Sequence, residues 1–187
     1  AYIGIGQVVN LMDACRIHDE RLRRYAKDQK DKQLMAKLEA IGPYPNPDNP
    51  AKSYVENSVF FRKELSRLAG EAGMHQLPWD DMAKMITLDQ LISPHRTLTD
   101  ISHSLLGDEA ALYRPPFTLA EQVMNVDLPG DVGSSFEVPI FFFTGAHDWQ
   151  TPRLLSDKWF HQINAPYKEL IHFEESSHFV VNEEPGK

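Results

Sequence analysis

The chain has 187 residues, enough for one domain with a substantial core, and its 42% hydrophobic and 25% charged content is that of an ordinary globular protein. A net charge of −8 argues against a nucleic-acid partner and against an anionic membrane surface, because neither would attract it electrostatically. A single cysteine, Cys15, excludes an internal disulfide, and no apolar run approaches membrane-spanning length.

Residues 2–6 read as a short strand in which Gly4 and Gly6 permit close backbone approach. Residues 7–41 read as helical. Val8, Leu11, Met12, Cys15, Leu22 and Ala26 recur near helical spacing, with Arg21, Arg23, Arg24 and Lys27 on the wetter side. Cys15 is expected to be a buried small hydrophobe. The polar run 27–32 marks a break, Leu34, Met35, Leu38 and Ile41 resume the apolar face, and Gly42-Pro43 stops it. Four prolines within residues 42–50 exclude a helix or a central strand there. Further helices are expected at 54–69, 79–91, 97–106 and 118–126, followed by a loop over 127–137.

Residues 138–144, VPIFFFT, form a short, almost wholly apolar run of the kind buried on both faces in a parallel sheet. Gly145 ends it and leaves Asp148 on the loop at its carboxyl end. Thr151 and Pro152 fit the N-cap and first turn of a helix over 153–164. A last strand is expected around 170–173, and the loop beyond it carries His178. An acid and a later histidine, each just past a buried parallel strand, are two thirds of a catalytic triad.

Both stretches, VPIFFFTGAHDWQTP and ELIHFEESSHF, resemble the C-terminal part of an α/β-hydrolase, and the opening AYIGIGQVVN resembles the proline iminopeptidase-like branch of that superfamily. The implied fold class is α/β: the C-terminal part of a parallel hydrolase sheet with a mainly helical inserted cap. The implied division is a core strand at 1–6, the helical cap at 7–126, and the remainder of the core at 127–187. A single crossover needs only one helix, so the helices between the first two strands are expected to cover the carboxyl ends of the strands, where ligands bind in open α/β sheets. Met74, Trp79, Met82, Met85, Tyr113 and Phe117 are candidates both for cap core and for pocket lining.

On the hydrolase pattern the triad runs Ser, then Asp or Glu, then His. Asp148 matches the acid and His178 the base, while the G-x-S-x-G elbow of the nucleophile is absent. The nearest approach, Gly133-Ser134-Ser135-Phe136, lacks the second glycine and has no strand of its own. Ser177 stands where many relatives carry glycine before the histidine. The resemblance therefore implies that the nucleophile lies on an upstream segment, separate or lost, and that this chain alone hydrolyses nothing. The missing segment, or a second copy of the chain, would cover the edge of the strand at 2–6.

Resemblance to the iminopeptidases implies release of an N-terminal residue from small peptides, with acidic cap residues holding the free amine. Glu56, Glu64 and Asp13 are candidates by type and equally fit a solvated helix face. Esterase or other α/β-hydrolase chemistry is the first alternative, and a non-catalytic module that binds through its helices is the second. No cofactor is called for. The histidines show no paired ligand spacing, so no metal site is expected. The N-terminus shows no signal-like pattern, which points to a cytoplasmic location.

Overall fold

A computed structural model describes residues 1–71 and 118–186. The expected helices at 79–91 and 97–106, and all six pocket-lining candidates, lie outside the described residues. Three strands form one parallel sheet in chain order: β1 (Tyr2–Ile5), β2 (Ile140–Gly145) and β3 (Lys168–Phe173). Ile140 is in register with Tyr2 on one side and with Lys168 on the other. Between β1 and β2 run α1 (Leu11–Asp28), α2 (Lys32–Ile41), α3 (Pro50–Glu71), α4 (Thr118–Met124) and α5 (Leu128–Val132). Helix α6 (Arg153–Gln162) connects β2 to β3, and α7 (Val180–Glu183) follows β3. The protein is thus mixed α/β with a parallel sheet.

Local chemistry sets the element ends. Helix α1 begins at Leu11, later than its apolar periodicity suggests, because the Val9 carbonyl accepts from the Leu128 N–H at 2.9 Å and so stays out of the helical ladder. Asn10 then caps the helix by accepting from the Asp13 N–H at 2.8 Å. The break falls within the polar run: Lys30 adopts φ +55°, and Asp31 starts α2 by accepting from the N–H groups of Gln33 and Leu34. Gly42, at φ +77°, ends α2. Helix α3 starts at Pro50, earlier than expected, because Asn49 accepts from the Lys52 N–H at 3.0 Å and proline suits the first helical position. The expected loop at 127–137 contains the short helix α5, opened by Pro129.

Two apolar clusters hold these elements. The first joins Leu11, Cys15 and Leu22 of α1 to Leu38 of α2, Phe61 and Leu65 of α3 and Met124 of α4, with Trp149 of the β2–α6 loop packed against it. Tyr44 stacks on Phe61 with ring centroids 3.9 Å apart. The second cluster packs Trp159, Phe160 and Ile163 of α6 and the chain after it on Ile140 and Phe142 of β2. The apolar run of β2 leads to an expectation of burial on both faces. The observed pattern alternates instead: Ile140 and Phe142 are buried under α6, while Phe141 and Phe143 on the opposite face are half-buried. Ile3 and Ile5, in register with Phe141 and Phe143, are exposed.

The chain leaves β1 and returns toward β2 at one place. Asn10 and Asp127 form an isolated bridge, reinforced by an Asn10 Nδ2 to Asp127 Oδ1 hydrogen bond of 3.2 Å. The chain between β1 and β2 therefore leaves and returns side by side at Asn10 and Asp127.

Candidate functional site

Asp148 and His178 lie on neighbouring loops, one after β2 and one after β3. Parallel pairing makes both loops emerge at the same end of the sheet. His178 Nδ1 lies 3.0 Å from Asp148 Oδ2. Asp148 is 4% exposed, and both its oxygens are occupied. Oδ1 accepts from the Gln150 N–H at 2.9 Å and the Thr151 N–H at 2.8 Å, while Oδ2 also accepts from the Thr151 hydroxyl at 2.6 Å. A carboxylate that binds the N–H groups two and three residues on is a local Asx-type turn, so the loop fixes its orientation before the histidine arrives.

Thr151 departs from the sequence-based expectation. It does not cap α6, whose N-cap is Pro152 with no side-chain bond. Its hydroxyl serves Asp148 instead and also lies 3.4 Å from His178 Nδ1. The T-P pair is legible as a helix start; the competing acceptor three residues upstream takes the hydroxyl.

Two glycines bring the histidine loop close. A Cβ on Gly145 would lie 1.8 Å from the Ser177 carbonyl oxygen, so only glycine lets the loop cross the end of β2. A Cβ on Gly6, itself at φ +49°, would come within 3.0 Å of the His178 ring. The two loops are also hydrogen-bonded, His147 N–H to the Ser176 carbonyl at 3.0 Å and Ala146 N–H to the Phe173 carbonyl at 2.8 Å.

The turn before the histidine is held by a pair of carboxylates whose role the sequence does not reveal. Glu183 accepts from the Ser177 N–H at 2.6 Å and the Ser177 hydroxyl at 2.7 Å. Glu184 accepts from the Glu175 N–H at 3.0 Å and the Ser176 hydroxyl at 2.7 Å. Ser176 and Ser177 are fully buried, and these bonds satisfy both hydroxyls. Ser177 thus exchanges the backbone freedom of glycine for an extra tether.

The segment Gly133-Ser134-Ser135-Phe136 pairs with Asn164, ahead of both β2 and β3. It sits at the far end of the sheet from His178, separated by a six-residue strand, roughly 20 Å at about 3.3 Å per residue. Neither of its serines is placed to serve this histidine. Asp13, Glu56 and Glu64 ion-pair along their own helices with Arg16, Lys52 and Arg67. His172 pairs with Asp157 at 3.2 Å, and His75, His95 and His103 lie outside the described residues. Among the described residues no group of three or more His, Cys, Asp or Glu could hold a metal ion. No helix among them is long and apolar enough to cross a membrane.

Two cavities flank the pair. One of about 690 Å3 lies on the Asp148 side, lined by Arg21, Arg24, Tyr25, His147 and Trp149 among others. The Arg21 guanidinium sits over the Trp149 ring at 5.0 Å; burial lowers its pKa and the nearby Asp148 opposes that. The other, about 200 Å3, is lined by Gly6, Cys15, His18, Tyr44, Phe61, Thr151 and His178 among others. In the sequence His18 is one more helix histidine. In the fold it is buried, and desolvation, then Arg21, push its pKa down to about 4, against raising contributions from the Trp149 and Gln150 backbone and from Asp148. Burial likewise pushes the Cys15 thiol up to about 11, as suits a residue that packs rather than reacts.

The chain is similar to the probable aminopeptidase YbaC of Bacillus subtilis (strain 168), with 27% identity over 188 aligned residues that cover 99% of this chain and 54% of that protein. It therefore spans about half the length of the curated relative it matches. No protein-family model matches the chain, and no solved structure matches it significantly.

Proposed function

We propose that Asp148 and His178 are the acid and base of a serine-type hydrolase of the α/β-hydrolase kind, acting as an aminopeptidase on small peptides. N-terminal proline is among the residues it releases. The nucleophile is supplied from outside these 187 residues. One observation carries the reading: the 3.0 Å contact between His178 Nδ1 and a buried, fully engaged Asp148 carboxylate at the carboxyl ends of adjacent parallel strands.

With Nδ1 turned to the carboxylate, Nε2 is the nitrogen left for proton transfer. It takes the proton of an attacking hydroxyl and returns it to the leaving amine. Asp148 holds the ring in the tautomer this requires and stabilises the imidazolium that forms. Thr151 and the two backbone N–H groups orient Asp148, and Glu183 and Glu184 hold the loop that presents His178. The helices from α1 to α4 act as a cap over the site, with Trp149 packed against their core. The likeness to a protein described as a probable aminopeptidase directs the choice among acyl-transfer chemistries.

The test is a comparison of alanyl, leucyl and prolyl p-nitroanilides with their N-acetylated forms and with p-nitrophenyl esters. The enzyme is the polypeptide that carries these residues together with the nucleophile-bearing segment. Cleavage of the free-amino anilides but not the blocked ones is expected. Turnover of the esters alone makes the protein an esterase, and no turnover of any substrate removes the hydrolase reading.

A further inference from the structure

Two residues of α1 reach the loop that carries Asp148. His18 and Arg21 are three apart and so share one face of the helix. The Arg21 guanidinium lies over the Trp149 ring, 5.0 Å from its centroid, within the range of a cation–π contact. His18 feels the same stretch of chain: burial, then Arg21, lower its pKa to about 4, while the Trp149 and Gln150 backbone and Asp148 oppose that fall. One helix face therefore meets both residues that follow the acid.

The placement of Arg21 is costly. On the same helix Arg16 and Arg23 pair with Asp13 and Asp19 of α1 itself. Arg21 reaches the β2–α6 loop instead, where burial lowers its pKa and Asp148 opposes that. A guanidinium gives up hydration only for something in return, and here that is the face of a ring and the negative charge of the acid beside it. Trp149 is in turn packed against the cluster that joins α1, α2, α3 and α4.

The acid loop is thus held from two sides. On the sheet side the Ala146 and His147 N–H groups bond the carbonyls of Phe173 and Ser176. The Asx-type turn then orients the Asp148 carboxylate within its own loop, and bonds that local do not fix the turn relative to His178. Trp149, next in the chain to the acid, anchors it from the helical side. We propose that Arg21 is a positioning residue of the acid–base pair: by clamping Trp149 to α1 it holds the Asp148 turn at bonding distance from His178. The role rests on Asp148 and His178 being the hydrolytic centre. Arg21 acts on it at a remove, through Trp149 and Asp148, and so sets the orientation of the histidine ring.

The clamp is read without turnover by NMR of the His178 ring nitrogens in the 187-residue chain, at a pH about two units above the ordinary histidine pKa. While Asp148 holds the Nδ1 proton the two nitrogens give well-separated resonances; when the ring is released its tautomers average and the resonances converge. Arg21→Met keeps the helix and the apolar stem and removes the cation. It is expected to bring the two resonances together. In the polypeptide that includes the nucleophile-bearing segment it is expected to lower kcat about ten-fold, with KM changed less than about two-fold. Arg21→Lys, which keeps a cation over the ring, is expected to recover most of both. Trp149→Phe, a milder change in the other half of the clamp, should move both readouts the same way by less. Trp149→Leu removes the ring, and adding Arg21→Met to it is expected to change nothing further. Unaltered resonances and kcat in Arg21→Met, an effect confined to KM, or additive losses in the double variant overturn the clamp. The two readings fail separately. A protein that cleaves no substrate while its His178 resonances depend on Arg21 loses the hydrolase assignment, and an active hydrolase indifferent to Arg21 loses the clamp.

Discussion

Thr151 shows how one hydroxyl is claimed by its strongest neighbour. Its 2.6 Å bond to a buried carboxylate is charge-assisted and shorter than a neutral bond. Thr151→Val keeps the shape and removes the donor, and is expected to cost about 1–3 kcal/mol of stability in urea denaturation, with Thr151→Ser recovering most of it. His18 supplies a pH signature. Its folded pKa of about 4 lies below its ordinary 6.5, so the unfolded chain binds the proton more readily. The neutral ring contributes fully above about pH 6.5, and stability falls as pH drops from there toward 4. At about 1.36 kcal/mol per pKa unit the loss is roughly 3 kcal/mol. His18→Gln, which cannot titrate, is expected to show a correspondingly shallower decline across that window; parallel curves for the two proteins would contradict the assignment. The placement of Asp148 and His178 on loops just past β2 and β3 is legible in the sequence because each follows a short apolar strand and a break. The roles of Thr151 and His18 are not, since both depend on which loop folds over which helix face.

The elements follow local signals closely wherever the chain's own neighbours decide. The α1–α2 break at Lys30 and the stop at Gly42 fall where polar residues and glycine mark them. They drift where a distant partner intervenes, as when Leu128 keeps Val9 extended and delays α1. The same contrast separates the two site loops. The Asp148 turn is set by bonds within four residues, whereas the His178 loop depends on Gly145 of another strand and on Glu183 and Glu184. Gly145→Ala would drive a methyl group into the Ser177 carbonyl. It is expected to cost on the order of 3 kcal/mol and to displace the His178 loop, seen as a changed His178 ring resonance in a chain that still folds. An unchanged resonance and unfolding midpoint would show that the loop does not cross β2 as described.

For the whole molecule, a parallel sheet with interposed helices can be read from the order of apolar runs and helical periodicity. The adjacency of β1 and β2, far apart in the chain, cannot, because nothing local encodes it. It is set by the Asn10–Asp127 meeting point and by packing of Val9 with the β2–α6 cluster. Among the described residues β1 is an edge strand whose Tyr2, Ile3 and Ile5 are exposed, and an exposed apolar edge invites another strand. If the proposed function holds, that strand belongs to the segment that brings the nucleophile to His178.

Fluorophosphonate labelling, read by mass spectrometry, tests the proposed acid–base pair most directly. It is applied to the 187-residue chain alone, to the polypeptide that joins it to the nucleophile-bearing segment, and to the His178→Asn and Asp148→Asn variants of that polypeptide. No label is expected on the chain alone, and one labelled serine is expected outside it in the longer polypeptide. Each variant should label slower by about 10³-fold or more. Labelling that proceeds undiminished in both variants, or that lands on a serine of the chain alone, would contradict the assignment of Asp148 and His178.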